Sequence, residues 1–346
     1  MKKIKAGVAG YGRSGFYHHC GSLMSLPEQY EVVAVCDIDE GRRKEAEEKM
    51  KCRTYADYDE FLKDSEIELV SISTPSFLHT QHTISALNAG KHVVCEKPLS
   101  DNVADVDKMI QAAKQNNKVF APFQNRRLDH LFKKVQEIVN SGVLGRIVEI
   151  KILWIGFGRR WDWQVFKKYM GGTLNDTCPH CIDWAMQFIP EDEPYELFCQ
   201  LDKTLTLGDA DDHVKIVLKS ASSPSIDIEV TSSSAYKHQE RLLIMGTKGG
   251  LKGNHLELWW KTANLEKLPE RVLPTEPKTV ERKYSSEDVE WKEEYWKVPD
   301  NAISWSVVFY DLLHKSLTEG APLFITPESA RRVIKVIEEC HKKGGM

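Results

Sequence analysis

Short, nearly unbroken runs of Val, Ile, Ala, Leu and Cys recur through the first third of the chain, at residues 4–9, 31–36, 68–73, 92–95 and 119–122. Hydrophobicity this continuous over so few residues predicts strands buried on both faces, as in a parallel sheet. Between these runs, residues 14–25, 40–50, 80–88 and 103–116 carry apolar positions at helical period. Gly90 stands where a helix C-cap is needed before the fourth strand, and Asp101 or Asn102 can cap the helix that follows Pro98. Strand and helix alternating in this way predict an α/β fold built on a doubly wound parallel sheet.

Beyond residue 124 the pattern changes. After an amphipathic helix at 128–140, the runs at 146–156, 195–205, 213–219, 226–232 and 241–246 tend to alternate apolar with polar residues and are mostly joined without helical stretches. That is the signature of a mainly antiparallel sheet with one solvated face. Helical periodicity returns at 174–188, 304–318 and 327–341, the last opened by Thr326 as N-cap with Pro327 in the first helical position. The polar stretch 264–300, rich in Pro and Glu, is expected to be irregular, and there is no internal repeat. The division predicts two domains, 1–124 and 125–346, in keeping with a chain of 346 residues.

Composition narrows the picture. With 41% hydrophobic and 28% charged residues the chain is a folded globular protein, and a net charge of -4 without blocks of one sign gives no footprint for nucleic acid or anionic membranes. No run approaches the roughly 20 apolar residues of a membrane span. The basic start, Lys2, Lys3 and Lys5, leads into an apolar stretch too short for a secretory signal, so the first residues are expected to belong to the fold. Eight scattered cysteines are expected to be reduced thiols of a cytoplasmic protein.

Candidate chemistry begins with Gly10-Tyr11-Gly12-Arg13-Ser14-Gly15, a GxGxxG pattern directly after the first strand and opening the first helix. Glycines there permit a tight turn and close backbone approach to a pyrophosphate, and the helix N-terminus meets its charge. Asp37 ends the second strand, 22 residues past Gly15, where a carboxylate accepts hydrogen bonds from the adenosine ribose. The same carboxylate would repel a 2'-phosphate, favouring NAD over NADP, although Arg42 and Arg43 lie close enough in sequence to soften that preference. Glu96-Lys97-Pro98 falls at the carboxyl end of the fourth strand, where ligands of such sheets bind. Lys97 there can donate to a substrate oxygen, the alternative being a surface ion pair with Glu96, and the X-Pro bond is a candidate for cis.

A second cluster runs from Gly171 to Asp183. On a continuous helix Asp176, His180 and Asp183, at offsets of zero, four and seven, share one face, and a carboxylate beside an imidazole suits acid or base work near neutral pH. The embedded Cys178-Pro179-His180-Cys181 has the form of a disulfide-exchange tetrapeptide, but it lacks the strand that such a motif follows, and no second ligand pair supports zinc. Two buried thiols are the simpler reading. Upstream, Trp154, Arg159, Arg160, Trp161, Asp162, Trp163, Gln164 and Phe166 offer either core packing or the flat faces and polar rim that a polyhydroxylated ring requires.

Taken in order, the glycine loop at 10–15, Asp37, Ser73-Thr74-Pro75 with His79, Glu96-Lys97-Pro98, Asn125-Arg126-Arg127 and the GGxLxDxxxHxxD stretch at 171–183 resemble the glucose-fructose oxidoreductase, inositol dehydrogenase and MocA family over nearly the whole chain. The resemblance implies an N-terminal Rossmann domain and a C-terminal α/β domain with a large open, mainly antiparallel sheet that joins subunits into a homodimer or homotetramer. It implies catalytic roles for Lys97, Asp176 and His180, a cofactor wall of the loop residues, Asp37, Ser73, Thr74, Pro75, His79, Glu96 and Lys97, and substrate contacts from Lys97, Arg127, Trp161, Trp163, Asp176 and His180, with no metal. The implied reaction is NAD-dependent oxidation of a secondary hydroxyl on a sugar, glycoside or cyclitol by hydride transfer to C4 of the nicotinamide. The family also holds redox-neutral NAD-dependent glycosidases and non-catalytic NAD-binding regulators. Cys178 and Cys181 depart from its commoner pattern.

Overall fold

The computed structural model describes residues 2–236, 239–273, 275–277 and 286–344. Six strands form the first sheet: β1 (Ile4–Ala9), β2 (Tyr30–Cys36), β3 (Arg53–Tyr55), β4 (Leu69–Ile72), β5 (His92–Cys95) and β6 (Phe120–Pro122). Their order is β3-β2-β1-β4-β5-β6, every pairing parallel. The expected runs all become strands. β3 had escaped notice because its three residues, Arg, Thr and Tyr, form a half-exposed edge strand without an apolar run. The helices are α1 (Gly21–Met24), α2 (Glu40–Met50), α3 (Tyr58–Lys63), α4 (His79–Asn88) and α5 (Val103–Gln115). Asn102 caps α5 by accepting from the Asp105 amide. The first helical turn was expected to be ordinary α-helix, yet Gly15–Cys20 winds as a π-helix into α1, a geometry that tends to mark functional positions.

Register matters more than the count of strands. Ala9 is level with Cys36 and Ile72, Ile72 with Cys95, and Cys95 with Pro122. The next residues along the chain, Gly10, Asp37, Ser73, Glu96 and Phe123, therefore emerge along one edge, and the strand order reverses between β1 and β4, where a crevice opens.

The second sheet follows α6 (His130–Asn140). Its strands are β7 (Ile147–Ile155), β8 (Tyr195–Asp202), β9 (His213–Ser220), β10 (Ser225–Thr231), β11 (Leu242–Gly246), β12 (Gly249–Gly253), β13 (Glu257–Ala263) and β14 (Trp291–Lys297), with α7 (Thr173–Asp176) and α8 (Cys178–Met186) between β7 and β8. The order is β14-β13-β12-β11-β7-β10-β9-β8, antiparallel throughout except for β7 with β10. Three strands had no clear signal. β12 is glycine-rich, and β13 and β14 pair with each other at the sheet margin, where charge replaces strict alternation. β14 lies inside the stretch expected to be irregular, of which residues 274 and 278–285 fall outside the described residues.

Two C-terminal helices tie the sheets together. α9 (Trp305–Glu319) places Phe309, Tyr310 and Leu313 in the same core as Ile4, Val8 and Leu69 of the first sheet. Each such side chain contributes roughly 1.5–3 kcal/mol by leaving water. α10 (Pro327–Lys343), capped by Thr326 as expected, packs on α5, α8 and β8. Residue 124 thus separates the sheets but not the helices that cover them. Among the described residues no helix is long and apolar enough to cross a membrane.

Candidate active site

The glycine loop is shaped by contacts that leave no room for a Cβ. At Gly10, with φ +87°, a Cβ would sit 2.6 Å from the Ser73 carbonyl oxygen, and at Gly15 it would collide with the Gly10 carbonyl. Gly12 is different: its Cβ would meet nothing nearer than Arg42 Nη1 at 3.8 Å, so the loop presents open backbone there. Ser73 Oγ donates to the Gly10 carbonyl at 2.6 Å, pinning loop to strand. Asp37 Oδ2 accepts from the Tyr11 amide at 2.7 Å and Oδ1 from the Asp39 amide at 2.9 Å, which leaves lone pairs on both oxygens for a ribose. Arg42 lies 3.5 Å from the same carboxylate, and Arg43 donates to the Asp37 carbonyl. An open glycine next to a helix start, with a carboxylate one strand away, fits a dinucleotide.

Glu96 is buried and ionised. Burial alone would raise its carboxyl, but His19, Lys97 and Ser14 hold it well below the usual range. Ser14 Oγ donates to Oε1, the Lys97 amide donates to Oε2 at 3.1 Å, and His19 Nε2 stands 3.4 Å from Oε1, at ion-pair distance without hydrogen-bond alignment. His19 Nδ1 is 2.6 Å from the Tyr310 hydroxyl, which is 2.8 Å from Ser71 Oγ. This buried chain was invisible in the sequence because Tyr310 arrives from α9. The Lys97-Pro98 bond is cis.

The reactive cluster lies where β5 meets α7 and α8. Lys97 Nζ donates to the Asp176 carbonyl at 2.6 Å and lies 3.4 Å from its Oδ1. Asp176 Oδ2 is paired with Arg160, and Gln164 Nε2 donates to Oδ1 at 3.0 Å. Burial raises the Asp176 carboxyl, but the charges of Lys97 and Arg160 outweigh it and keep the group below its ordinary value. His180 makes no side-chain hydrogen bond to a described residue, its Nδ1 being buried without a partner among them. Burial, and then Lys97 and Arg126, push the imidazole well below its usual range, so it is neutral at pH 7.

Several expectations are corrected. The helix breaks at Thr177, so Asp176 and His180 sit on different helices and no hydrogen bond joins them; the carboxylate is held by Lys97, Arg160 and Gln164 instead. Asp183, three residues past His180 on α8, is not part of the cluster: it forms a buried two-point pair with Arg127, whose remaining Nη1 donates to Ser329. Arg127, only 5% exposed, is therefore tied into the protein and not turned to a substrate, and it is Arg126 that reaches the neighbourhood of His180. The residues Asn125–Leu128 form a 3-10 helix, in which successive side chains point about 120° apart, so the two arginines must diverge.

His79 is also removed from direct contact. It is buried, with Nδ1 2.7 Å from the Pro98 carbonyl and Nε2 2.9 Å from the Thr74 carbonyl, so it fastens the loops that follow β4 and β5. Tyr11 turns its ring into the core against Phe16 and offers only its backbone. Arg13 is exposed, and Pro75 begins the short 3-10 turn before α4. Trp161 stands 90% exposed and Trp163 is partly exposed, in the loop that Arg160 and Gln164 anchor over Asp176. All eight cysteines are free thiols, and burial raises Cys178 and Cys181 far above reactive range. Among the described residues no group of three His, Cys, Asp or Glu side chains is placed to hold a metal.

Comparisons with known proteins agree with this geometry. Residues 4–123 match the model of an oxidoreductase family with an NAD-binding Rossmann fold, and residues 132–252 match the GFO/IDH/MocA C-terminal domain. An uncharacterized oxidoreductase of Schizosaccharomyces pombe is 32% identical over 262 residues, covering 72% of this chain and 70% of its own. The myo-inositol 2-dehydrogenase of Thermotoga maritima is 30% identical over 252 residues, covering 71% and 74%. The crystal structure of an NAD-binding protein from Listeria innocua superposes with a TM-score of 0.82 at 26% identity, covering 99% of this chain and 97% of its own. Fold, cofactor loop and similarity together make this chain a member of the Gfo/Idh/MocA family of NAD-binding oxidoreductases.

Proposed function

We propose that the protein is a dehydrogenase that oxidises a secondary hydroxyl of a sugar, glycoside or cyclitol, with Lys97, Asp176 and His180 as the reacting groups. The observation that carries this reading is the meeting of Lys97, from the edge of the first sheet, with Asp176, from the second half of the chain, beside a neutral and unpartnered His180. Bound NAD supplies the hydride acceptor. A neutral imidazole can accept the hydroxyl proton, and its place away from water and beside Lys97 keeps it unprotonated until substrate arrives. Lys97 has an ammonium within reach of the same oxygen and is steered by two oxygens of Asp176. Asp176 is the positioning group: Arg160 and Gln164 hold its carboxylate, and through it the direction of Lys97.

The similarity to an inositol 2-dehydrogenase supports a polyhydroxylated substrate. The division at residues 124 and 125 into a cofactor half and a substrate half belongs to the same proposal, as does assembly of copies of the chain through the second sheet. In that sheet Lys151, Lys215, Asp227 and Glu229 form a polar ladder, and Phe198 and Tyr295 are exposed. The test is a panel of inositols, sugars and glycosides incubated with NAD. Accumulation of reduced nicotinamide is expected. Product release without net reduction would replace the dehydrogenase with a redox-neutral hydrolase, and NAD binding without any turnover would leave only a regulator.

A further inference from the structure

Arg126, near His180, is held by aromatic faces and one long ion pair, with no side-chain hydrogen bond to a described residue. It follows β6 at the ligand edge of the first sheet, and its main chain is fixed by Trp184 Nε1, which donates to the Arg126 carbonyl at 2.9 Å. Its guanidinium carbon lies 5.1 Å from the ring centroids of both Trp154 and Trp305, so two aromatic faces from different parts of the second half hold the cation in place. Yet the side chain makes no hydrogen bond to any described residue, and it is 30% exposed, open to the cleft. Its ion pair with Asp129 is long, Nη1 lying 3.6 Å from Oδ2, while Oδ1 of that carboxylate accepts from the Leu131 amide at the start of α6.

Arg241 repeats the situation on a smaller scale. Its guanidinium lies 5.5 Å from the Trp154 ring centroid, and among the described residues it makes no ion pair. Trp154 Nε1, a third donor, is buried without a partner, and its ring centroid is 6.1 Å from that of His180. Elsewhere in the cleft the charges are matched: Lys97 and Arg160 face Asp176, and Arg160 also faces Asp162. On the Arg126 and Arg241 side the match is poorer: Arg126 has only the 3.6 Å contact with Asp129, and Arg241 makes no ion pair with a described residue. A guanidinium with its fork free, held flat by aromatic faces, is suited to two-point recognition of an oxyanion.

We propose that the substrate carries an anionic group, a carboxylate or a phosphate, received by Arg126 against Trp154 and Trp305 with Arg241 as the second cation. This names the substrate class of the site and rests on the dehydrogenase reading. A neutral polyol would leave Arg126 with only its long contact to Asp129 and Arg241 with no paired carboxylate, and a site built around such donors discriminates against ligands that lack the matching acceptor.

The experiment is calorimetric titration of the NADH-loaded protein, at low salt, with matched ligands: glucose, glucuronate and glucose 6-phosphate, and galactose, galacturonate and galactose 6-phosphate. NADH affinity, measured first, tests the underlying reading by itself; its absence would remove both. With NADH bound, at least one anionic ligand is expected to bind on the order of tenfold tighter than its neutral counterpart or better, and the carboxylate and phosphate arms tell the two anions apart. Arg126→Met should abolish most of that ratio. Arg241→Met, at an exposed position that endangers the fold less, should lower it by a smaller factor. A neutral sugar that binds as tightly as its anionic partner, an unchanged ratio in both variants, or no sugar binding at all would overturn the inference while leaving NAD chemistry intact.

Discussion

On the wall of the cleft built by the first sheet, Asp37, Ser73, His79 and Glu96 direct their polar atoms mainly to backbone groups. On the wall contributed by the turn after β6, α8 and the second sheet, Trp154 Nε1 and His180 Nδ1 are buried without partners, and Arg126 has only a long ion pair with Asp129. The difference follows from what each wall must hold. A dinucleotide is met mainly by backbone, and a backbone loop keeps its shape only if side chains fasten it. A substrate that must be chosen among similar molecules is met by side chains, and their unsatisfied groups become complete only when it arrives.

The sharpest way to break this contrast is to compare neighbouring arginines. Arg127→Met should cost about 3–5 kcal/mol of stability, because it strands Asp183 as a buried uncompensated charge. Denaturant unfolding checks this, and a wild-type midpoint would show that Arg127 is not the structural member of the pair. Next in size is the reacting cluster itself. Lys97→Ala or His180→Ala should lower kcat by roughly 10²-fold or more with NAD affinity retained, the scale for losing a positioned acid or base. Steady-state kinetics with calorimetry separates the two effects, and unchanged turnover in both variants would remove the catalytic assignment.

On the wall of the first sheet the expected changes are smaller. Asp37→Ser should weaken NAD binding about tenfold, the loss of charge-assisted hydrogen bonds, while NADP suffers less because the repulsion of its 2'-phosphate is gone. Equal loss for both cofactors in a titration would show that Asp37 only shapes the loop.

The smallest effect is on acid stability. Burial pushes the imidazoles of His82 and His92 down to about 4, and each uses its Nδ1 locally, His82 beside Thr74 and His92 accepting from the Val119 amide. The unfolded chain takes up those protons near pH 6.5. Their contribution is thus complete above pH 6.5 and is lost as pH falls toward 4. His82→Asn or His92→Asn should flatten the fall in unfolding free energy over this window by up to about one proton each. An unaltered slope would mean that these imidazoles titrate normally in the folded protein.

Much of the first wall was legible because its causes are local. A glycine with nowhere to put a Cβ, a carboxylate ending a strand and a Lys-Pro step after another strand each bring their physics with them, and parallel register carries them to one edge. The second wall was read less well. Asp176 and His180 were located, but a uniform helix was assumed, and the break at Thr177 gave Asp176 to Lys97 and Arg160 instead of to the imidazole. Among the weakly patterned strands, β14 interrupts its aromatic positions with three consecutive charged residues at a sheet edge, where burial on one face is too slight to impress a period.

The chain by itself determined the alternating architecture and the cofactor loop and singled out Lys97, Asp176 and His180 as candidates, since each signal depends on residues within a turn or a strand of one another. The tertiary structure alone decided that Tyr310 would complete the buried chain to Glu96, that Arg127 would be enclosed with Asp183, and that Arg126 would be left open between Trp154 and Trp305. Those outcomes join residues far apart in sequence, and the rotation of a single 3-10 turn is enough to exchange a buried two-point ion pair for a cation held between aromatic rings, a choice that no periodicity of apolar positions encodes.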